Sequence, residues 1–397
     1  MLLELYQTWV GGEALKLRKL TDDLFVPSYD GYSIVNFSNL ILEHFGSVTF
    51  HEPFPLERSY LSGAEKVVVV VLDGVGYEKF VKNLPEDPTL KVYPCTSVFP
   101  TTTATALPSI YSGLTPLEHG FLGYLLYLKE TGCLVNVIDM SPPGYPRDTV
   151  LRNLNTSFRT IFQVLSEKGV KSFFLVPRHI AGSGFSKIMS VGAEQVPFSG
   201  FGDMIQAILD ISDGEGKKLI FSYWPSCDSV AHRSGVGKAY EVELRWFVEI
   251  LKKELLRKLR PDTTFFLLSD HGVIETLQEN EIWWDNSSEV MKFLERPPSG
   301  EQRMMYLHTR RKRTLVEYLV EKYKDLALFL DPKEHMWLFG KGRRHWDFFE
   351  RVGDVVLIAR GNYSFNYRYT GKEESLKGRH GSLTKDELLV PLAVYRR

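Results

Sequence analysis

Short apolar runs alternate with longer amphipathic segments along most of this chain. Runs of strand length cover residues 67–72, 172–176, 219–224, 264–269 and 354–359. Apolar residues at helical spacing predict helices over residues 105–112, 158–168, 203–211, 239–259 and 313–323. Because strands and helices alternate in this order, we expect an α/β fold with a mostly parallel, doubly wound sheet and helices on both faces.

The segment 278–372 differs from the rest of the chain in composition. It is rich in aromatic and basic residues, in runs such as IWWDN, TRRKR and HMWLFGKGRRHWDFF. We therefore predict a single domain over residues 1–397, with 278–372 inserted into it as a smaller subdomain or lid. Within the first 65 residues, the segment 33–45 has a helical pattern and is expected to pack on the core.

Side chains with metal-binding chemistry follow the strands of this predicted sheet. They are Asp73, Asp228, His232, Asp270, His271 and His380. Asp73 and Asp270 come directly after strands, and Asp228 with His232 opens the segment after another. Because the carboxyl ends of parallel strands meet at one edge of a sheet, we expect these side chains to converge there.

This set of carboxylates and imidazoles contains no cysteine, which suits hard-to-borderline divalent cations. Thr103 lies between them along the chain, in SVFPTTTATALPSIYSGLTPLEHG. A threonine beside such cations is a candidate nucleophile, with Thr101 as the competitor. Taken singly, each candidate residue has a non-catalytic explanation. Asp-Gly pairs form turns, histidines occur in surface loops and threonines cap helices. Together they favour a metallophosphoesterase.

Composition narrows the class of protein further. The chain has 397 residues and a formal net charge of −1, which makes nucleic acid an unexpected partner. The basic runs at 310–313 and 341–345 are better explained as solvated faces. Three cysteines argue against a disulfide framework. Neither a signal peptide nor an apolar stretch long enough for a membrane is found, so a cytoplasmic protein is expected.

The threonine segment also matches an ordered set of motifs. Phe99 and Pro100 precede the three threonines, Gly113 follows ten residues after Thr103, and P-x-x-H-G covers 116–120. With these motifs and the strand-end residues, the chain resembles the type I phosphodiesterase/nucleotide pyrophosphatase family of the alkaline phosphatase superfamily. The resemblance runs from about residue 66 to the C-terminus.

This resemblance implies a site with two divalent ions, zinc first and manganese second. One ion would be bound by Asp73, Thr103, Asp270 and His271, and the other by Asp228, His232 and His380. The motif register selects Thr103 as the nucleophile. The implied activity is hydrolysis of phosphodiester or pyrophosphate bonds in small, nucleotide-like substrates through a phosphothreonine intermediate.

The chain departs from the family at one expected substrate contact. Family members carry an asparagine shortly after the His-Gly pair, where this chain has Tyr124, and the nearest asparagine is Asn136. Two alternatives follow: Tyr124 donates the hydrogen bond to the phosphate oxygen in place of the asparagine, or the oxygen is held in a different way.

Other functions remain open on the same residues. A phosphomonoesterase needs extra cationic contacts, for which Arg303, Lys341 and Arg343 are candidates. A phosphate-transferring mutase would use the same sheet. A metal-binding but inactive interaction module would bind the ions without turnover.

Overall fold

The computed structural model of the chain describes residues 5–8, 15–84, 90–150 and 158–397. The N-terminal segment, for which the sequence predicts no signal peptide, lies partly outside the described residues. The strands are β1 Leu5–Thr8, β2 Leu15–Arg18, β3 Lys66–Leu72, β4 Lys91–Thr96, β5 Leu125–Leu128, β6 Cys133–Asn136, β7 Lys171–Pro177, β8 Glu194–Phe198, β9 Lys218–Trp224, β10 Thr263–Leu268, β11 Ile274–Glu275, β12 Glu281–Trp284, β13 Ser299–Gly300, β14 Met304–Leu307, β15 Ala327–Leu330, β16 Val355–Ala359, β17 Ser364–Tyr367, β18 Gly378–Arg379 and β19 Leu389–Arg396. The α-helices are α1 Ile34–His44, α2 Tyr77–Asn83, α3 Thr103–Ser112, α4 Pro116–His119, α5 Ile161–Ser166, α6 Gly184–Met189, α7 Phe201–Asp213, α8 Ser226–Ser234, α9 Lys238–Ile250, α10 Lys312–Tyr323, α11 Phe348–Val352 and α12 Lys385–Leu388.

A seven-stranded sheet forms the centre of the molecule, in the order β4-β19-β10-β3-β9-β7-β8. Strand β19 runs antiparallel to both of its neighbours, and the other six strands share one direction. The mostly parallel α/β sheet predicted from the sequence is thus confirmed.

The valine run of β3 shows why helices cover both faces of this sheet. Successive side chains of a strand point to opposite faces. Val67, Val69 and Val71 belong to one hydrophobic cluster, together with residues of α1, α3 and α5. Val68 and Val70 belong to a second cluster, together with residues of α7 and α9. Every residue of β3 is buried, which is typical of a strand in the middle of a doubly wound sheet.

The predicted helices differ from the observed ones at one or both ends, and the one expected over 158–168 is observed as Ile161–Ser166. The helix expected from residue 105 begins at Thr103, because the preceding Thr102 has the extended conformation of an N-cap residue. The helix expected over 239–259 keeps an α-helical pitch only to Ile250. It continues as a π-helical turn over Leu251–Leu255 and a 3-10 turn over Leu256–Lys258.

A second, six-stranded sheet has the order β15-β16-β14-β13-β5-β6. Four of its strands come from the segment 278–372, which also has its own hydrophobic cluster, from Trp284 to Tyr367. Strands β5 and β6 come from a much earlier part of the chain, so this sheet extends beyond the predicted limits of the insertion. Among the described residues, no helix combines the length and the apolar character that crossing a bilayer requires.

Candidate active site

Three neighbouring strands of the central sheet bring acidic side chains to one edge. Strands β10, β3 and β9 lie side by side and run parallel, so their carboxyl ends meet. Asp73 follows β3 directly, and Asp270 follows β10 after one intervening serine. Asp228 lies in helix α8, which begins just after β9. The convergence expected from the sequence is therefore present in the structure.

The first cluster consists of Asp73, Asp270 and His271, whose ligand atoms lie within 4.8 Å of one another. Their exposed fractions are only 2%, 0% and 0%. His271 Nε2 lies 3.3 Å from Asp73 Oδ1 and 3.5 Å from Asp270 Oδ2. Two carboxylates and an imidazole packed together away from water form a site that suits a divalent cation.

Thr103 is the first residue of α3 and faces this cluster. Its Oγ1 lies 3.0 Å from His271 Nε2, and 3.3 Å and 3.4 Å from the two carboxylate oxygens of Asp73. The competing hydroxyl of Thr101 is buried and donates to the backbone carbonyl of Ser382 at 2.6 Å. The structure thus places Thr103, and not Thr101, against the first cluster.

The second cluster consists of Asp228, His232 and His380, again with ligand atoms within 4.8 Å of one another. Asp228 and His232 are one helical turn apart on α8, and His232 Nε2 lies 3.0 Å from Asp228 Oδ2. His380 follows β18, with its Nε2 3.9 Å from Asp228 Oδ1. Its ring stacks on that of His271 with centroids 3.9 Å apart, so the two clusters adjoin.

The three histidines are all anchored at Nδ1 by main-chain carbonyl groups. The pairs are His271 with Gly272 at 3.0 Å, His232 with Gly378 at 2.8 Å and His380 with Thr101 at 3.1 Å. Because a carbonyl oxygen only accepts hydrogen bonds, each Nδ1 carries a proton, and Nε2 is the ring nitrogen left to bind a cation. Metal-ligating histidines are typically held in this way.

Two carboxylate oxygens in the clusters support the same interpretation. Asp228 Oδ1 and Asp270 Oδ2 are buried and have no hydrogen-bond partner among the described residues. A buried acceptor left without a partner costs about 1–3 kcal/mol, so such atoms are rare unless something binds them. One cation in each cluster would satisfy one of these oxygens. The donor set of carboxylate, imidazole and hydroxyl groups therefore fits two divalent ions.

Without a cation, the pKa values of the carboxyl groups shift in opposite directions in the two clusters. Burial, and next the charge of Asp270, raise the pKa of Asp73 well above its usual value. Burial, and next the charge of Asp228, raise the pKa of Asp270 to about 7. Burial also opposes the charged forms of Asp228 and His232, but their mutual attraction outweighs it. The pKa of Asp228 is lowered, and that of His232 is raised to about 9.

Tyr223 is a residue of this site that the sequence analysis missed. Its hydroxyl donates to Asp73 Oδ2, and its side chain lines the same cavity as Thr103. It lies in the apolar strand β9, whose letters KLIFSYW resemble those of any buried strand. Only the register between β3 and β9, which pairs Val71 with Tyr223, brings this hydroxyl to the site. No signal in the sequence singled it out.

A cavity of about 680 Å³ adjoins the clusters and includes Thr103 in its wall. Tyr124, the predicted substrate contact, lines this cavity, and its hydroxyl accepts a hydrogen bond from Asn136 Nδ2 at 2.6 Å. The backbone N–H of Tyr124 donates to Glu301 Oε1 at 2.7 Å. Burial raises the pKa of the Glu301 carboxyl group to about 8. Asn136 and Glu301 therefore share the cavity with Tyr124, a placement that the sequence did not suggest.

The other cations proposed from the sequence lie elsewhere. Arg303 is fully buried and does not line the cavity. Its Nε and Nη2 donate to the Glu387 carboxylate at 3.0 Å and 2.8 Å, and its remaining donors bind the carbonyls of Gly361 and Tyr363. Because all three guanidinium nitrogens are engaged away from the cavity, the expected substrate contact at Arg303 is corrected to a structural ion pair. Lys341 pairs with Asp30 at the surface, outside the cavity wall.

The fold and the site together define a class, the hydrolases of the alkaline phosphatase superfamily. The sequence model described as "Type I phosphodiesterase / nucleotide pyrophosphatase" matches residues 67–383, which is most of the chain. The chain belongs to this family and is a hydrolytic enzyme, and the family supports activity on phosphodiester or pyrophosphate bonds. No curated protein matches the sequence.

Solved structures agree with this assignment at the level of the fold. Murine ectonucleotide pyrophosphatase/phosphodiesterase 5 has a TM-score of 0.58 at 17% identity, over 83% of this chain and 87% of that one. An inactive form of the same mouse protein has been solved in complex with AMP. Phosphonoacetate hydrolase from Sinorhizobium meliloti 1021, in complex with phosphonoformate, has a TM-score of 0.57 at 16% identity, over 88% of this chain and 93% of that one.

Proposed function

We propose that this enzyme hydrolyses phosphodiester or pyrophosphate bonds through a covalent intermediate on Thr103, with two divalent cations. The observation that carries the proposal is the position of Thr103 Oγ1. It touches the first ligand cluster, lies at the start of helix α3 and is part of the cavity wall. A hydroxyl in such a place meets the geometric requirement for a nucleophile.

The proposed ligands are those of the two clusters. They are Asp73, Thr103, Asp270 and His271 for one ion, and Asp228, His232 and His380 for the other. When bound, the ions would increase the nucleophilicity of the threonine oxygen and stabilise negative charge on the phosphoryl group. Zinc is the first candidate and manganese the second, because imidazole nitrogens and carboxylate oxygens bind both.

The chain's own contribution follows from the arrangement of its residues. Thr103 Oγ1 attacks phosphorus in line, and the bond from phosphorus to the leaving oxygen breaks. A water then attacks the phosphothreonine and releases Thr103. Two inversions give net retention at phosphorus. The positive end of the α3 dipole, at Thr103, favours the negative charge of the phosphoryl group.

The wall of the cavity carries charges of both signs. Glu373 and Glu374 line it together with Lys372 and Arg379, whereas Arg303, Lys341 and Arg343 are absent from it. The family therefore carries the proposed preference for a diester, and the cavity charge does not. A nucleotide diester is the first natural substrate class to test, since a family relative of the same fold has been solved with AMP.

The first test compares bis-p-nitrophenyl phosphate with p-nitrophenyl phosphate. The purified chain is stripped of metal and then reloaded with zinc or manganese. We expect turnover only after reloading, with the diester preferred. Preference for the monoester would favour a phosphatase. Retained metal without turnover of either ester would favour a mutase or an inactive module.

The second test addresses the nucleophile. Thr103→Ala should lower kcat by roughly 10³-fold or more, because it removes the attacking hydroxyl. Metal content, measured by mass spectrometry, should stay close to that of the wild type. Thr103→Ser keeps the hydroxyl and should retain measurable turnover, with a phosphoserine trapped at low pH. Full activity in Thr103→Ala would disprove the assignment.

A further inference from the structure

A second pocket opens beside the proposed nucleophile, Thr103. The proposed chemistry does not use this pocket. It has a volume of about 130 Å³ and shares Thr103, Ile138, Tyr223 and Pro225 with the larger cavity. The remaining apolar residues of its wall are Leu107, Tyr111, Phe174, Val176, Ile180, Phe185 and Met189. The two pockets therefore meet at the residue proposed to attack phosphorus.

The wall of this apolar pocket is built from the core of the protein. Leu107 and Tyr111 follow Thr103 on helix α3 at intervals of four residues, so all three lie on one face of the helix. Phe174 and Val176 come from strand β7, and both are at least 97% buried. The charged residues Arg147 and His179 are exposed and lie at the rim. An uncharged group fits such a surface, and a charged one is disfavoured.

The size of the pocket sets the size of its occupant. An apolar protein cavity of about 150 Å³ stays dry and binds benzene. At about 130 Å³, this pocket matches a single six-membered ring or a short alkyl chain. It is too small for a purine together with its ribose, which the larger cavity of about 680 Å³ accommodates.

One polar atom in the wall has no partner. The hydroxyl of Tyr111 is buried, the residue is 0% exposed, and no hydrogen-bond partner for it exists among the described residues. Its ring is fixed by edge-to-face contacts with Phe174 and Phe221. The Tyr111 hydroxyl is thus a donor that a polar substituent on an occupying ring would satisfy, while an unsubstituted ring would gain only apolar contacts.

We propose that the apolar pocket binds one uncharged, ring-sized ester substituent of the substrate, while the other substituent lies in the larger cavity. The inference rests on the proposed phosphodiester hydrolysis and makes its substrate class narrower. A diester has two substituents on one phosphorus, and two unequal pockets meet at Thr103. The enzyme would therefore prefer diesters in which one group is small and aromatic or aliphatic.

Binding of simple phosphonates tests this proposal without turnover. Phenylphosphonate and methylphosphonate are titrated into the metal-loaded full chain by calorimetry. We expect phenylphosphonate to bind about 10- to 100-fold more tightly, because burial of one aromatic ring in an apolar site has this effect on an equilibrium constant. Equal affinities would overturn the proposal.

Substitutions in the wall of the apolar pocket then test whether the phenyl ring binds there. Ile180→Phe fills the pocket from its partly exposed edge and should bring the affinity ratio close to one, with methylphosphonate binding unchanged within about twofold. Ile188→Phe is the matched control, since Ile188 is partly buried nearby but does not line the pocket, and its ratio should equal the wild-type ratio. Ile180→Ala widens the pocket and should improve the binding of 1-naphthylphosphonate. A ratio that survives Ile180→Phe in a protein with unchanged thermal unfolding would contradict the assignment.

Failure of this inference differs from failure of the proposed function. If metal-loaded enzyme hydrolyses diesters but shows no phenyl preference, the pocket has no role in binding. If phenylphosphonate is preferred but no diester is hydrolysed, the pocket is supported and the proposed reaction is wrong.

Discussion

Each of the proposed metal-binding histidines, and Asp73, is oriented by a hydrogen bond with another group of the protein. Each histidine is fixed at Nδ1 by a backbone carbonyl, which a substitution of a neighbouring side chain does not remove. Asp73 is different, because the hydroxyl of Tyr223 donates to its Oδ2. That bond orients a carboxylate that faces Thr103 on its other side. Tyr223 is therefore a positioning residue.

Tyr223→Phe should lower metal affinity and kcat together, by about 10-fold or more, because loss of a partner to a ligand typically has this effect. Substrate KM should change little at saturating metal. Metal titrations followed by activity would measure both quantities, and Tyr93→Phe, a change away from the cavity wall, serves as the control. Unchanged metal affinity in Tyr223→Phe would show that Asp73 is oriented without it.

Sequence reasoning was most successful for residues at strand ends. Asp73 and Asp270 stand directly beyond apolar runs, where a charged residue is costly unless it has a function. Nothing in the sequence marks Tyr111 or Tyr223 in the same way, because buried tyrosines are common in apolar segments. Arg303 was misjudged for a related reason. Its partner Glu387 is 84 residues away in the chain, so the buried ion pair was invisible.

At the scale of elements, the site depends on how closely strand β3 and helix α8 approach. Gly74 follows Asp73 with φ of +73°, and a Cβ there would lie 2.7 Å from Asp228 Cβ. Any side chain would push the turn after β3 away from α8. The absence of a Cβ at Gly74 thus allows the two ligand clusters to lie this close together.

Gly74→Ala should reduce activity and metal affinity at least about tenfold, because a shift of a fraction of an ångström misplaces Asp73 or Asp228. Gly169→Ala is a matched control, since Gly169 has φ of +72° with nothing within 4 Å of the added Cβ. It should lose about 1–2 kcal/mol of stability and no activity. Equal losses of activity in both variants would point to backbone strain instead of the close approach.

The ion pair between Arg303 and Glu387 connects the two sheets. Arg303 lies between β13 and β14 of the smaller sheet, and Glu387 lies in α12, which leads into β19 of the central sheet. Glu387 also accepts a hydrogen bond from the backbone N–H of Ser382, two residues beyond His380. The pair therefore stabilises the loop that carries one proposed ligand.

Arg303→Met should destabilise the protein by about 3–5 kcal/mol, because it leaves the Glu387 carboxylate buried without its partner. The double variant Arg303→Met/Glu387→Gln removes that charge and should recover part of the loss. Urea unfolding measures both. If Arg303 contacted substrate, KM would rise instead while the free energy of unfolding stayed constant.

The order of the elements was predictable to the extent that it depends on local pattern. Four of the seven strands of the central sheet, β3, β7, β9 and β10, follow from apolar runs, whereas β4, β8 and β19 were not predicted. The smaller sheet was only partly anticipated, because β5 pairs with β13 from a distant segment and β6 pairs with β5. Such pairing depends on tertiary packing, which periodicity does not report. The limits 278–372 for an inserted subdomain stay a prediction.

At the scale of the whole molecule, the proposed ions link stability to pH. In the metal-free protein, Asp73, Asp270 and His232 have pKa values above their ordinary ones. Between pH 6.5 and 9 the folded state therefore holds more protons than the unfolded state, so stability falls as pH rises. His380 has a lowered pKa, so it opposes this trend only near pH 6.5, where the unfolded-state imidazole still binds part of a proton.

The melting temperature of chelator-treated protein should therefore fall between pH 6.5 and pH 8.5. Reloading with zinc or manganese should raise the melting temperature at both pH values, and more at pH 8.5. The cations compensate the charge of the carboxylates, and their binding to the native state stabilises it by mass action. Differential scanning fluorimetry measures these four conditions. Coincident curves with and without metal would show that the clusters do not bind the ions.

The position of β3 in the middle of the central sheet has a consequence for synthesis of the chain. Its two neighbours, β9 and β10, are both made later, and the nearer one begins about 150 residues further on. At typical elongation rates of 5–20 residues per second, five consecutive valines wait roughly 8 to 30 s for a partner strand. An unpaired valine-rich strand is a template for association with other chains. Slower translation of this stretch would lengthen that exposure and is expected to increase the fraction of chains lost to aggregation.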